Sequence, residues 1–294
     1  QYLKAGSMAI ETNSFGSSRL KLLDYGLDKR TIEINQAAAR CAREAVDAWQ
    51  KKTDSPLFVV GTMGPTGKLP SSTDPVLGNI SFDELKDVFR EQATALIDGG
   101  ADVLLLETQH DILEVKAAVH GCLDAIAQSK KDIALQVQIT VDESGRMLYG
   151  TDVLTALTIL DAYPIDVIGM NCSTGPAEML SAVKTLMRHA RCAVSAIPNA
   201  GMPQNINGQA VYQLKPADFA QQVSSFISRY GVQVVGGCCG TTPEHIRALA
   251  VALRDVRPAA HGLHLADAGP QGEGAPTGRP TARCSSCCSL SVSV

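Results

Sequence analysis

Two adjacent cysteines lie in a glycine-framed segment, Gly236-Gly237-Cys238-Cys239-Gly240, followed by Thr241-Thr242-Pro243-Glu244-His245. Neighbouring residues on a regular strand face opposite sides, so both thiols can meet one metal only if the backbone kinks there. The flanking glycines permit such a kink, because they tolerate positive φ. The segment follows the apolar run Val232–Gly237 and precedes a helix start, where the helix dipole favours thiolate over thiol. A third cysteine, Cys172, follows Asn171 at the end of another apolar run and matches Cys238 in its place in the pattern. Three converging thiolates suit Zn²⁺, with one tetrahedral position left open. Such an electron-rich ligand set is poorly suited to making hydroxide. It suits a fourth thiolate, whose proton the metal removes while the sulfur stays nucleophilic. The chemistry expected is attack by a substrate thiol on an activated carbon. A zinc hydrolase is disfavoured by the all-sulfur ligands.

Other polar residues fall at the ends of apolar runs. Glu107, in LLLETQHD, is a carboxylate able to hold a substrate ammonium, or else a loop acid or a first-turn helix charge. Thr12, in IETNSFG, offers a hydroxyl there, or serves as a turn or cap residue. His110 and His245 are candidates to titrate nearby, or to cap helices. The glycine-rich GTMGPTG of Gly61–Gly67 lacks the Lys-Ser/Thr ending of a phosphate-binding loop. Cys41 and Cys122 fall within helical patterns and Cys192 just before a strand, and all three read as packing residues.

The elements that must position these groups are strands alternating with helices. Apolar runs at Ser7–Asn13, Leu57–Gly61, Asp102–Glu107, Ala134–Thr140, Ile165–Asn171, Ala193–Pro198 and Val232–Gly237 suggest buried parallel strands. Ser81 with Glu84, and Asp111 with Glu114, read as capping boxes, while Thr242-Pro243 opens the last helix. Gly6, Gly99 and Gly231 read as helix ends. Nearly every strand ends in a polar or glycine-rich cluster, which suits a (β/α)₈ barrel, where one mouth gathers all the loops. The pattern shows seven strands, so the expected fold is an α/β TIM barrel lacking its first strand and helix, with two strand edges unpaired. The barrel should span residues 1–257. Residues 258–294, rich in Gly, Pro and Ser and containing Cys284, Cys287 and Cys288, should form a disordered tail. The start at Gln1, mid-pattern, reads as the beginning of a fragment.

Composition narrows the classes further. The 294 residues are 45% hydrophobic and 19% charged, ordinary globular values. A net charge of -4 gives no basic surplus for nucleic acid or an anionic membrane. No apolar run is long enough to span a bilayer. Nine cysteines without a secretion signal read as reduced thiols in a cytoplasmic setting.

The segments IETNSFGSSRLKLLDYGL, VVGTMGPTG, GGADVLLLETQHD, IGMNCSTGP, PNAGMP and VGGCCGTTPEHIRALA resemble the homocysteine S-methyltransferase family, and most closely the homocysteine-binding module of its cobalamin-dependent members. The resemblance runs from about Leu3 to Val256. It implies zinc on Cys172, Cys238 and Cys239, with homocysteine sulfur as fourth ligand. It implies that Glu107 holds the homocysteine ammonium and that Thr12 lies in the amino-acid pocket. It also implies methyl transfer giving methionine, from methylcobalamin recharged by methyltetrahydrofolate, or from betaine or S-methylmethionine. The Asp-Gly-Gly or Asp-Gly-Ala segment of the family's first strand has no match here. No cobalamin motif occurs, so cobalamin- and folate-binding modules would be partners outside this chain. A catalytically silent zinc-binding fragment is the rival expectation.

Overall fold

A computed structural model describes residues 1–259 and the backbone of 288–291. After a short helix α1 (Tyr2–Ala5), closed by Gly6 at φ 111°, the chain enters strand β1 (Ala9–Glu11). A turn of helix α2 (Arg19–Leu23) and the long α3 (Thr31–Gln50) lead to β2 (Phe58–Met63). Then α4 (Phe82–Asp98), β3 (Val103–Gln109), α5 (Ile112–Ser129), β4 (Ala134–Ile139), α6 (Val153–Leu160), β5 (Val167–Asn171), α7 (Pro176–His189) and β6 (Ala193–Ile197) alternate strictly. An exposed antiparallel hairpin, β7 (Gln204–Ile206) and β8 (Gln209–Val211), interrupts the alternation. It is followed by α8 (Pro216–Tyr230), β9 (Val234–Val235) and α9 (Pro243–Leu253).

Several helices start or stop at groups that satisfy their free backbone atoms. Ser81 accepts from the Glu84 amide, and Asp111 accepts from the amides of Leu113 and Glu114. Thr242 and His245 form a capping box, with Pro243 at the first helical position. Gly231 closes α8 at φ 77°.

With a further strand β10 (Cys288–Ser291), the strands form one closed parallel barrel in the order β1-β10-β9-β6-β5-β4-β3-β2. The expected barrel architecture is therefore present, but the slot beside β1 is filled. β10 pairs in parallel with β1 on one side and with β9 on the other. Two unpaired edges were expected from the sequence, and this strand supplies the missing hydrogen-bond partners of both. No strand was expected after Pro258, and Cys288–Ser291 departs from that reading. Cys284, Cys287 and the rest of the expected tail lie outside the described residues.

The main apolar core lies between the sheet and its helices and includes Phe89, Leu104, Leu106, Phe219 and Phe226. A second, smaller cluster fills the lumen: Ala9, Val60, Leu105, Ile197 and Val234, continued upward by Cys238. Strand alternation then fixes the next inward layer. Two residues on from Ala9, Val60 and Leu105 come Glu11, Thr62 and Glu107, all buried. Gln138, Asn171 and Ser195 are buried polar residues on the neighbouring strands. Gly169 leaves no room for a side chain, since a Cβ there would lie 1.9 Å from Ser195 Oγ.

Candidate metal centre

The three cysteines read from the sequence come together at the mouth. Their sulfurs all lie within 4.8 Å of one another. Cys172 Sγ is 3.7 Å from Cys239 Sγ, and Cys238 Sγ is 4.0 Å from Cys239 Sγ. These separations are far beyond a disulfide bond. A tetrahedral zinc with Zn–S bonds of about 2.3 Å requires sulfurs about 3.8 Å apart, so the donor set fits that metal in type and spacing. Among the described residues this is the one such cluster of potential metal ligands.

The backbone earns this convergence by conformations that side chains usually avoid. Cys172 and Ser173 adopt φ 61° and 64°, which turns the chain sharply at the end of β5 before α7 begins. At the end of β9, Gly240 adopts φ 78° and packs under Tyr212, whose Cβ would lie 2.3 Å from any Cβ at position 240. Gly237 has no room for a side chain either, because Thr241 stands 2.3 Å away. Backbone bonds lock the two turns together: Cys172 N donates to Ile197 O at 3.1 Å, Cys238 N to Pro198 O at 2.9 Å, and Ala200 N to Cys239 O at 2.9 Å. The N-termini of α7 and α9 begin a few residues further on and favour negative charge here. Crowding the three sulfurs splits their acidity. Hydrogen bonds from Cys172, then from Cys238, hold the Cys239 thiol low, and the sharing that favours the Cys239 thiolate drives Cys238 up.

Glu107 ends β3 at an irregularity in which the register shifts between Leu106 and Gln109 and Thr108 takes φ 57°. Its carboxylate accepts from the Thr62 hydroxyl and, at 3.2 Å, from Asn171 Nδ2. Burial pushes it up to about 7; the Thr62 bond opposes that rise and the negative charge of Cys239 adds to it. Asn171 is the hub that sequence reasoning passed over. Its amide nitrogen also reaches Thr108 Oγ1 at 2.9 Å and Cys238 Sγ at 3.9 Å, and its oxygen accepts from Thr108 N at 2.7 Å. It thus ties the acid to the sulfur cluster. Only its place immediately before Cys172 could have flagged it.

Thr12 is buried at the rim, but its hydroxyl is already engaged. It accepts from Thr62 N at 3.1 Å and shares a 2.5 Å bond with Ser14. His245 is occupied structurally as well. Its Nδ1 accepts from Thr242, and Nε2 bonds Leu214 O at 2.8 Å, so it ties α9 to the loop after the hairpin. His110 Nδ1 meets Thr108 O at 2.9 Å. GTMGPTG is held by protein: Thr66 donates through both N and Oγ1 to Glu114, at 2.7 and 2.5 Å. Glu114 therefore anchors this loop and does not close a capping box with Asp111. Cys122 is buried, as expected of a packing residue, whereas Cys41 is exposed on α3 and lies outside the core.

Comparisons with known proteins identify the family. A model of the homocysteine S-methyltransferase family matches residues 1–253. The chain belongs to that family. Methionine synthase from Mycobacterium tuberculosis is 40% identical over 256 residues, covering 87% of this chain and 21% of the relative. Methionine synthase from Mycobacterium leprae is 40% identical over 253 residues, covering 86% and 20%. The chain thus spans about a fifth of the length of these relatives. The oxidised form of the homocysteine methyltransferase MmuM from Escherichia coli shares the fold, with a TM-score of 0.69 at 21% identity over 85% of this chain and 81% of that one. Among the described residues, no helix is long and apolar enough to cross a membrane.

Proposed function

We propose that this chain transfers a methyl group to the thiol of homocysteine, giving methionine, with zinc held by Cys172, Cys238 and Cys239. The observation that carries the reading is the joining of a three-sulfur cluster to a buried carboxylate through one asparagine. An amino acid bearing a thiol presents two groups to be recognised. Glu107 is placed to take its ammonium, and the cysteine cluster to take its sulfur. A metallated form of the homocysteine methyltransferase MmuM supports metal in a protein of this fold. Zinc in this ligand set would make a thiolate available at neutral pH without quenching its nucleophilicity.

The chain's own residues set the geometry. Asn171 and Thr62 fix both oxygens of Glu107 and keep the carboxylate facing the cluster. Thr12 belongs to the pocket wall and acts by holding Thr62 in place through its amide. The layer beneath the cluster is buried, while Cys172 and Cys239 stay partly exposed at the mouth, open to an incoming substrate sulfur. The similarity to methionine synthases supports methylcobalamin as the donor, recharged by methyltetrahydrofolate, with cobalamin- and folate-binding modules lying outside this chain.

X-ray absorption at the zinc edge tests the reading. Saturating homocysteine should raise the sulfur count at zinc from three towards four. Methionine should leave it unchanged, because a thioether brings no charge to the metal. An unchanged count with homocysteine overturns the proposal.

A further inference from the structure

Glu11 ends β1 inside the barrel, and none of the described side chains or backbone groups bonds to its carboxyl group. It is only 7% exposed, and Oε1 is wholly buried without a partner. Leaving a carboxyl group dry and unpaired is costly, so such a group marks a place where a ligand completes the protein. Its nearest charged neighbour makes matters worse. Burial holds the Glu11 carboxyl well above the usual carboxylate range, and like-charge repulsion from Glu107, in the same inward layer, raises it further. Among the donors around this layer, Thr62 and Asn171 are committed to Glu107, and Gln136 Nε2, buried without a partner, makes no bond to Glu11. The described ion pairs engage Arg19, Arg30, Arg43, Lys86 and Arg90, none of them with Glu11.

Two buried carboxyl groups with no cation between them form a receptor for one. We propose that Glu11 is a second substrate-binding carboxylate, and that it and Glu107 together grip the ammonium of the amino acid whose thiol meets the cysteine cluster. This rests on the homocysteine reading above. An ammonium carries three N–H donors, enough to serve both acids, and its charge relieves their mutual repulsion. Glu11 thereby gives the site a preference for an α-amino thiol over a simple mercapto acid.

The test compares homocysteine with des-amino homocysteine, which keeps the thiol and carboxylate but lacks the ammonium. Binding of each to the zinc-loaded protein is measured by calorimetry for wild type and Glu11→Gln, with zinc content and melting as controls for folding. Glu11→Gln should weaken homocysteine about tenfold or more, the scale of a lost charge-assisted bond, and should leave des-amino homocysteine within about twofold. Equal losses for both ligands, or no loss for either, overturn the inference. If Gln impairs folding, Glu11→Asp replaces it. The aspartate keeps the charge but withdraws it by one methylene, so the preference for homocysteine should shrink, and an unchanged preference overturns the inference. If neither thiol alters the zinc edge of the wild type, the homocysteine reading itself fails and takes this inference with it. A normal edge shift with unaltered discrimination in the variant sinks the inference alone.

Discussion

Glu114 gives a stability prediction that is independent of any metal. The residue is fully buried on α5, and its Oε1 takes both Thr66 donors while Oε2 has no partner. Burial lifts its carboxyl from 4.5 to about 7, with the Thr66 bonds opposing the rise. Between those two values the folded protein keeps a proton that the unfolded chain releases. Stability must therefore fall as pH climbs through this window, being fully retained below about pH 4.5 and lost above about pH 7. At 1.36 kcal/mol per pH unit the loss is about 3 kcal/mol. Glu114→Gln cannot titrate, yet its amide oxygen still accepts from Thr66. The variant should lack this share of the decline, while Glu11 and Glu107 titrate alike in both proteins. Urea midpoints at about pH 5 and pH 8, converted with a common m-value, measure the difference. The variant should gain about 3 kcal/mol on wild type over that span. Parallel pH curves would refute the reasoning and place the Glu114 proton elsewhere.

Further outcomes follow from the same geometry. Cys238→Ala should lose most of the bound zinc, whereas Cys122→Ala, far from the cluster on α5, should keep it; metal analysis of purified protein decides. Gly169→Ala forces a methyl group to within 1.9 Å of Ser195 Oγ and 2.2 Å of its carbonyl oxygen, so the melting temperature should drop by an amount corresponding to about 3 kcal/mol. Removal of residues 284–294 uncovers the edges of β1 and β9, and light scattering should then show concentration-dependent association.

Much of the site is legible because strand ends announce themselves. Cys172, Cys238 and Glu107 each close an apolar run, and parallel alternation brings such positions to one mouth. The convergence of Cys239 depends on glycine flanks that are also visible. What escapes is whatever depends on partners distant in sequence. Asn171 looks like an ordinary turn residue until Glu107, Thr108 and Cys238 surround it. Glu114 reads as a capping acid until Thr66, 48 residues away, claims it. Glu11 is one letter in an ordinary strand, and its isolation shows only in three dimensions. The left-handed turns at Thr108, Cys172 and Ser173 break the usual preference for glycine, so composition gives no warning of them. β10 is short and lies in a stretch without periodicity, where no local signal competes with the impression of a loose tail.

The position of β10 bears on how the barrel is assembled. Ala9 pairs with Leu290, so the last seam of the sheet joins residues about 280 positions apart. The other seams of β1 through β6 join successive strands and can form in chain order as the polypeptide lengthens. Contacts of such long range carry the largest loop-closure entropy and form late. During synthesis, a curled open sheet stretching from β1 to β9 would exist before Cys288–Ser291 leaves the ribosome. Its two edges would be exposed for that interval, and this is when misassembly competes most strongly with folding. The yield of native protein should accordingly depend on how fast Cys288–Ser291 follows the earlier strands.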